Sequence, residues 1–337
     1  MKYCRIFGAS VSMLCLAGCT VFSSQMEREL ARKGFGIVEP DNQRLSYRWF
    51  GEGWSLRQQF SPFFLFGSTR CSSDGRFIVA YYQGDWPRET PPGLPRSGAR
   101  KPISPYRSVS APRWGGLPGL VVLDVSGREI WRIESFRGKD LWLGSPAPAL
   151  SPDHEKIAQE GRDYAYYVVM RSYDVIRIPD SQTESTEEPR TFRSIDWAPD
   201  SRRIVFSRKS KLVIYDIETR QTRPVTDGSN PAWSPDGKWI AYRTADNVGM
   251  MVSPETGERR TLFKGREIVG PIRWSPDGEY LLYNIRQEAF ANKIESLWNL
   301  GDTNYRVIVH RLRDGTEIDA RSAVPSGILD RHNWAKR

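Results

Sequence analysis

Five aspartates, at positions 74, 153, 200, 236 and 277, recur inside one short phrase, and carboxylates repeated at fixed places are candidates for metal binding or proton transfer. Catalysis, however, seldom needs one group per repeat, so five equivalent copies read as turn chemistry. The rest of the reactive inventory is thin. His154 stands where other copies have Gly or Ser, which makes it a turn residue, and His310 lies in an alternating strand with a half-exposed structural role. Glu184, Glu187 and Glu188 fall in a polar loop and read as solvated. No Gly-x-Ser-x-Gly elbow and no Cys/His pairs at metal spacing occur, and no hydrolase domain of the prolyl-peptidase kind is expected to follow. No catalytic residue, metal or cofactor is expected.

The phrase itself carries more information. Its best copies are Trp233-Ser234-Pro235-Asp236-Gly237 before Ile240-Ala241-Tyr242, and Trp274-Ser275-Pro276-Asp277-Gly278 before Tyr280-Leu281-Leu282-Tyr283. Trp197-Ala198-Pro199-Asp200-Ser201 precedes Ile204-Val205-Phe206. Leu150-Ser151-Pro152-Asp153-His154 and Cys71-Ser72-Ser73-Asp74-Gly75 are degraded copies. Pro presets the second position of a type I turn, Asp bonds nearby amides and Gly closes the turn. The aromatic residues, Trp197, Trp233 and Trp274, can pack between neighbouring sheets. The aspartates are spaced by 79, 47, 36 and 41 residues, and a β pattern with a period near 40 predicts propeller blades. One unit cannot bury its own apolar face, so the copies must stack and close.

The phrase resembles the Trp-Ser-Pro-Asp-Gly repeat of TolB-type propellers, also called PD40 or WD40-like repeats, over roughly residues 68–320. The resemblance implies an all-β propeller of six blades, five explicit and a sixth assembled from the two termini, with five blades as the alternative. Residues 20–44 are too short for the α/β domain that precedes the propeller in TolB proteins. Functions across such folds vary widely.

The N-terminus reads as a targeting segment, residues 1–18. Lys2 and Arg5 flank the start, Ile6 to Leu16 is apolar but too brief to span a bilayer comfortably, and Leu16-Ala17-Gly18-Cys19 resembles a bacterial lipobox. That resemblance implies cleavage before Cys19 and its acylation, and Thr20 rather than Asp implies sorting to the outer membrane of a Gram-negative cell, facing the periplasm. Cys4 and Cys15 leave with the signal, so Cys71, in the aromatic slot of its repeat, is left as a buried structural thiol without a disulfide partner. The net charge of +9 becomes +7 once Lys2 and Arg5 are removed. Export makes nucleic acid an unsuitable partner. Anionic lipid or an acidic protein suits the charge.

Residues 19–44 read as a lipidated tether. Ser23-Ser24, Met26, Glu27, Leu30 and Gly34 predict one short capped helix in it. The propeller is assigned to residues 45–337. Aromatic-rich residues 45–66 read as strands able to pair with a C-terminal piece, Ile328 to Trp334, and clasp the ring. Paired outer strands follow each turn phrase, such as Leu212–Ile217 with Thr222–Thr226. Residues 83–119 form a Pro/Arg-rich insertion with eight prolines and six basic residues against two acidic. Residues 287–303 carry a helical spacing. Trp86, Arg88, Arg96, Arg100, Lys101, Arg107, Arg113 and Trp114 make the first insertion a candidate partner-binding element. The expectation is a monomeric, membrane-anchored envelope lipoprotein acting as a non-enzymatic scaffold, accessory factor or inhibitor for a protein partner. The alternatives are an enzyme or glycan-binding module using the channel, and contact of the basic insertion with anionic glycolipid.

Overall fold

The computed structural model describes residues 24–41, 44–51, 57–60, 64–83, 119–134, 147–160, 165–179, 194–263, 268–286, 305–320 and 333–337. Helix α1 (Gln25–Arg32) opens on Ser24, whose Oγ accepts the Glu27 amide at 3.1 Å while the Glu27 carboxylate accepts the Ser24 amide at 2.9 Å. This reciprocal cap supplies acceptors to two otherwise orphaned donors. Gly34, at φ 68°, turns the chain out of the helix.

Three strands follow: β1 (Phe35–Asp41), β2 (Arg44–Trp49) and β3 (Arg57–Phe60). Five complete four-stranded blades come next. Blade I holds β4 (Phe64–Cys71), β5 (Phe77–Gln83), β6 (Gly119–Asp124) and β7 (Glu129–Glu134). Blade II holds β8 (Ala149–Leu150), β9 (Lys156–Glu160), β10 (Ala165–Val169) and β11 (Asp174–Arg177). Blade III holds β12 (Ile195–Trp197), β13 (Arg203–Arg208), β14 (Lys211–Asp216) and β15 (Gln221–Asp227). Blade IV holds β16 (Ser229–Trp233), β17 (Ile240–Arg243), β18 (Gly249–Val252) and β19 (Arg259–Phe263). Blade V holds β20 (Ile268–Trp274), β21 (Tyr280–Arg286), β22 (Tyr305–Arg311) and β23 (Glu317–Asp319). Finally β24 (Asn333–Lys336) pairs antiparallel with β1, Ile37 opposite Trp334, and blade VI has the order β24-β1-β2-β3.

The last strand thus completes the first sheet, and the two ends of the chain share one blade. The C-terminal piece is Asn333–Lys336, and its partner is β1 rather than anything in 45–66. The ring therefore starts at Phe35, inside the stretch assigned from sequence to a tether. Pro40 and Asp41, poor strand formers, masked the strand character of Phe35-Gly36-Ile37-Val38.

Every blade is apolar on both faces, which explains the unbroken apolar runs. On β5, Ile78 and Ala80 pack toward blade VI while Val79 and Tyr81 pack toward blade II. Six apolar clusters occupy the six blade-to-blade interfaces, for example Ala158, Tyr167 and Ile178 of blade II against Ile204, Phe206 and Tyr215 of blade III. Met26 and Leu30 bring α1 into the cluster between blades V and VI. Closure leaves no blade with an uncovered face.

His310 is buried rather than half-exposed. Its Nδ1 lies 3.1 Å from Glu317 Oε1, and its ring sits beside Phe263 and Tyr283. The packing of blade V on blade IV covers a position that alternation alone would leave open. Residues 84–118 and 287–304 lie outside the described residues, and so does the helical spacing read there.

Candidate functional site at the channel and the two ends of the ring

The five turn phrases end the innermost strands and gather at one end of the channel. Each aspartate is a local acceptor there. Asp236 Oδ1 takes the Ser234 hydroxyl at 2.6 Å and the Lys238 amide at 3.1 Å, and Asp277 repeats this with Ser275 and Glu279. Asp153 does the same with Ser151 and Glu155, Asp74 with Ser72 and Arg76, and Asp200 with the Arg202 and Arg203 amides. The serine in turn accepts an amide five residues on, as Trp239 to Ser234 at 2.9 Å. Burial alone would raise the Asp277 carboxyl, but bonds from Lys33, Ser275 and the Glu279 amide hold it below its ordinary value.

The turn closes with φ near +75° at Gly237, and a Cβ there would lie 3.1 Å from Pro199 Cγ of the preceding blade. His154 and Ser201 hold the same left-handed conformation, at φ 60° and 55°. The turns interlock around the mouth, and the tryptophans join them. Trp197 Nε1 donates to Ala149 O at 3.0 Å and Trp274 Nε1 to Ala232 O at 2.9 Å, each reaching the preceding blade. Trp334 Nε1 donates to Arg273 O at 3.3 Å by the same rule, so Trp334-Ala335 is the sixth copy of Trp197-Ala198. Trp233 departs from it, donating to Gly237 O within its own turn. Cys71 fills the slot in blade I, where burial pushes its thiol far up and makes it an inert packing group.

One residue before each slot, strand alternation turns the side chain toward the axis. Those positions hold Arg70, Ala149, Asp196, Ala232, Arg273 and Asn333, and all six except Ala149 line a cavity of about 180 Å³. Arg70 Nη2 reaches Asp196 Oδ1 at 2.6 Å, and Arg70 Nη1 donates to Ile195 O at 2.5 Å. Asp196 also accepts the Trp197 amide at 2.9 Å and the Trp233 amide at 2.7 Å. Asn333 Nδ2 donates to Thr69 O at 3.1 Å, tying blade VI to blade I. Sequence reading passed over these residues because the repeat varies there. Asp196 is the cavity carboxylate that lies outside a turn phrase, and its bonds tie it into the ring. Among the described residues, no group of three or more His, Cys, Asp or Glu is placed to hold a metal.

The two ends of the ring differ in the length of their connections. At the turn-phrase end none is longer than seven residues, the longest joining β2 to β3. At the opposite end, β5 and β6 are separated by 35 residues and β21 and β22 by 18. Three links between blades, β7 to β8, β11 to β12 and β23 to β24, also leave and return there, each with thirteen residues or more. The candidate binding residues Trp86, Arg88, Arg96, Arg100, Lys101, Arg107, Arg113 and Trp114 lie outside the described residues, as does Cys19. Gln83 and Gly119, which flank the insertion, fix the end from which it departs.

Six four-stranded blades, closed by a clasp of both termini around a channel rimmed by Trp and Pro-Asp turns, define a six-bladed β-propeller. The crystal structure of TolB from Acinetobacter baumannii is similar in fold, with a TM-score of 0.55 at 14% identity over 90% of this chain and 66% of that one. A putative TolB from Agrobacterium tumefaciens is also similar, with a TM-score of 0.49 at 13% identity over 85% of this chain and 87% of that one. The uncharacterized peptidase YuxL of Bacillus subtilis (strain 168) is 33% identical over a stretch covering 26% of this chain and 16% of YuxL. The chain thus spans less than two thirds of both TolB from A. baumannii and YuxL. No family model matches the sequence.

Proposed function

We propose that this chain is a monomeric envelope lipoprotein, acylated at Cys19, whose propeller is a non-enzymatic scaffold for a protein partner. The observation that carries the reading is the gathering of every connection of thirteen residues or more between described strands at one end of a rigid ring. Binding segments are commonly long connections held by a stiff frame. The Pro/Arg insertion 83–119, with its tryptophans and arginines, belongs to that end and is the proposed contact element. The channel supports the non-enzymatic part, since Asp196 is engaged with Arg70 and two backbone amides.

Crosslinking in cells, followed by identification of the captured protein, tests the scaffold. The intact chain should trap a stoichiometric envelope protein, and a chain with residues 84–118 replaced by a short Gly/Ser linker should not. Capture unchanged by that replacement would remove the insertion from the proposal. Cys19→Ser should abolish acylation, read by mass, and release the protein from membranes.

A further inference from the structure

The N-cap of helix α1, Ser24, lies five residues after Cys19, and the helix is fastened to the turn-phrase end of the ring. Its inward residues Met26 and Leu30 are buried between blades V and VI. Lys33 Nζ lies 2.5 Å from Asp277 and 2.8 Å from Glu279, in the turn of blade V. Glu29 accepts from Arg311 at 2.9 Å and Arg313 at 3.1 Å, beside the β22–β23 turn of the same end. A Cβ on Gly51, in the β2–β3 connection, would sit 2.7 Å from the Ala31 methyl. The contacts of Lys33, Glu29 and Ala31 all belong to the end with short turns. The remaining face of the helix presents Gln25, Arg28 and Arg32, all exposed, on one stripe at spacings of three and four.

We infer that the turn-phrase end of the ring is held against the bilayer, with Arg28 and Arg32 toward anionic lipid headgroups, and that the end carrying the long connections faces away. This rests on the acylation of Cys19 proposed above. Five residue steps, fully extended, span about 17 Å. A seven-residue blade strand such as β5 is itself about 23 Å deep, so the tether is too short to let the far end turn toward the lipid. The outward arginines add a second, electrostatic contact to the acyl chains. Partner binding and anchoring thereby fall at opposite ends of one rigid body.

The test uses full-length acylated protein in vesicles of phosphatidylglycerol and phosphatidylethanolamine that carry a headgroup nitroxide. A fluorophore is attached through Gln25→Cys or, in a second sample, through Asp246→Cys in the β17–β18 connection at the far end. Cys19 is acylated and Cys71 buried, so neither takes label. Quenching at Gln25→Cys should exceed that at Asp246→Cys by at least about three-fold. Adding Arg28→Glu with Arg32→Glu should roughly halve the Gln25→Cys quenching on these vesicles and leave it unchanged on neutral ones. Equal or reversed quenching in acylated protein overturns the orientation while leaving the lipoprotein reading standing. No change from the two Glu substitutions overturns the headgroup contact. Protein that carries no acyl mass overturns the anchor and the orientation together.

Discussion

Arg70 of blade I and Asp196 of blade III form an ion pair at 2.6 Å that passes over blade II, whose corresponding residue is Ala149. A methyl at that place leaves room for the guanidinium to reach past it. Both side chains are largely buried, at 9% and 14% exposed, and Asp196 also receives the Trp197 and Trp233 amides, so blades I, III and IV are tied at their inner edge.

Asp196→Ala strands a buried guanidinium and removes an acceptor from two amides. Breaking a buried pair from one side costs about 3–5 kcal/mol, so the melting temperature followed by circular dichroism should fall by several degrees. Arg70→Ala with Asp196→Ala should recover part of that loss. A single variant as stable as the wild type would show that the pair contributes nothing.

Trp334 closes the ring. It is 3% exposed, meets Phe35 edge-on at 5.7 Å and reaches Arg273 O of blade V. Trp334→Ala should cost about 3–5 kcal/mol. The urea midpoint should drop, and proteolysis should begin near both termini at once, because β24 and β1 come apart together. Cleavage confined to the C-terminus would contradict the shared blade.

Gly237 and Gly257 both hold φ near +75°, but a Cβ at Gly257 would meet nothing within 4 Å while one at Gly237 would press on Pro199. Each Gly→Ala change carries the left-handed penalty of about 1–2 kcal/mol. Gly237→Ala should be the more destabilising of the two in parallel urea titrations. Equal losses would mean that the interlock of neighbouring turns yields without cost.

The clamp of α1 should open in acid. Asp277 titrates below its ordinary value of 3.8 in the folded chain, so its stabilising contribution is complete above about pH 4 and disappears as pH falls through the lower folded value. Lys33 shifts the opposite way, upward from 10.5, so its share persists until strongly alkaline pH. Amide hydrogen exchange in Gln25–Arg32 should therefore rise below about pH 4, after correction for intrinsic rates, while blade III stays protected. Asp277→Asn should show the faster exchange already at neutral pH. Uniform exchange across blades at low pH would count against a local clamp.

Much of the fold was legible because its cause is local. The Trp-Ser-Pro-Asp-Gly phrase makes its own turn from its own hydroxyl, carboxylate and glycine, and the helix cap at Ser24 and Glu27 is likewise contained within four residues. The start of the ring at Phe35 was not legible, since β1 becomes a blade strand by pairing with a segment almost three hundred residues away. His310 was misjudged for a related reason, its cover coming from the next blade.

By itself the sequence determined the repeat and its turns, since spacing and residue type dictate backbone geometry within a few residues, while the sixth sheet required the pairing of β24 with β1. Tertiary structure alone decided which side chains meet at the axis and which end of the ring receives the helix. Arg70 and Asp196 are 126 positions apart, and only closure of the ring brings them within hydrogen-bond distance. Contacts of that kind follow from the shape of the whole assembly, and no local pattern encodes them.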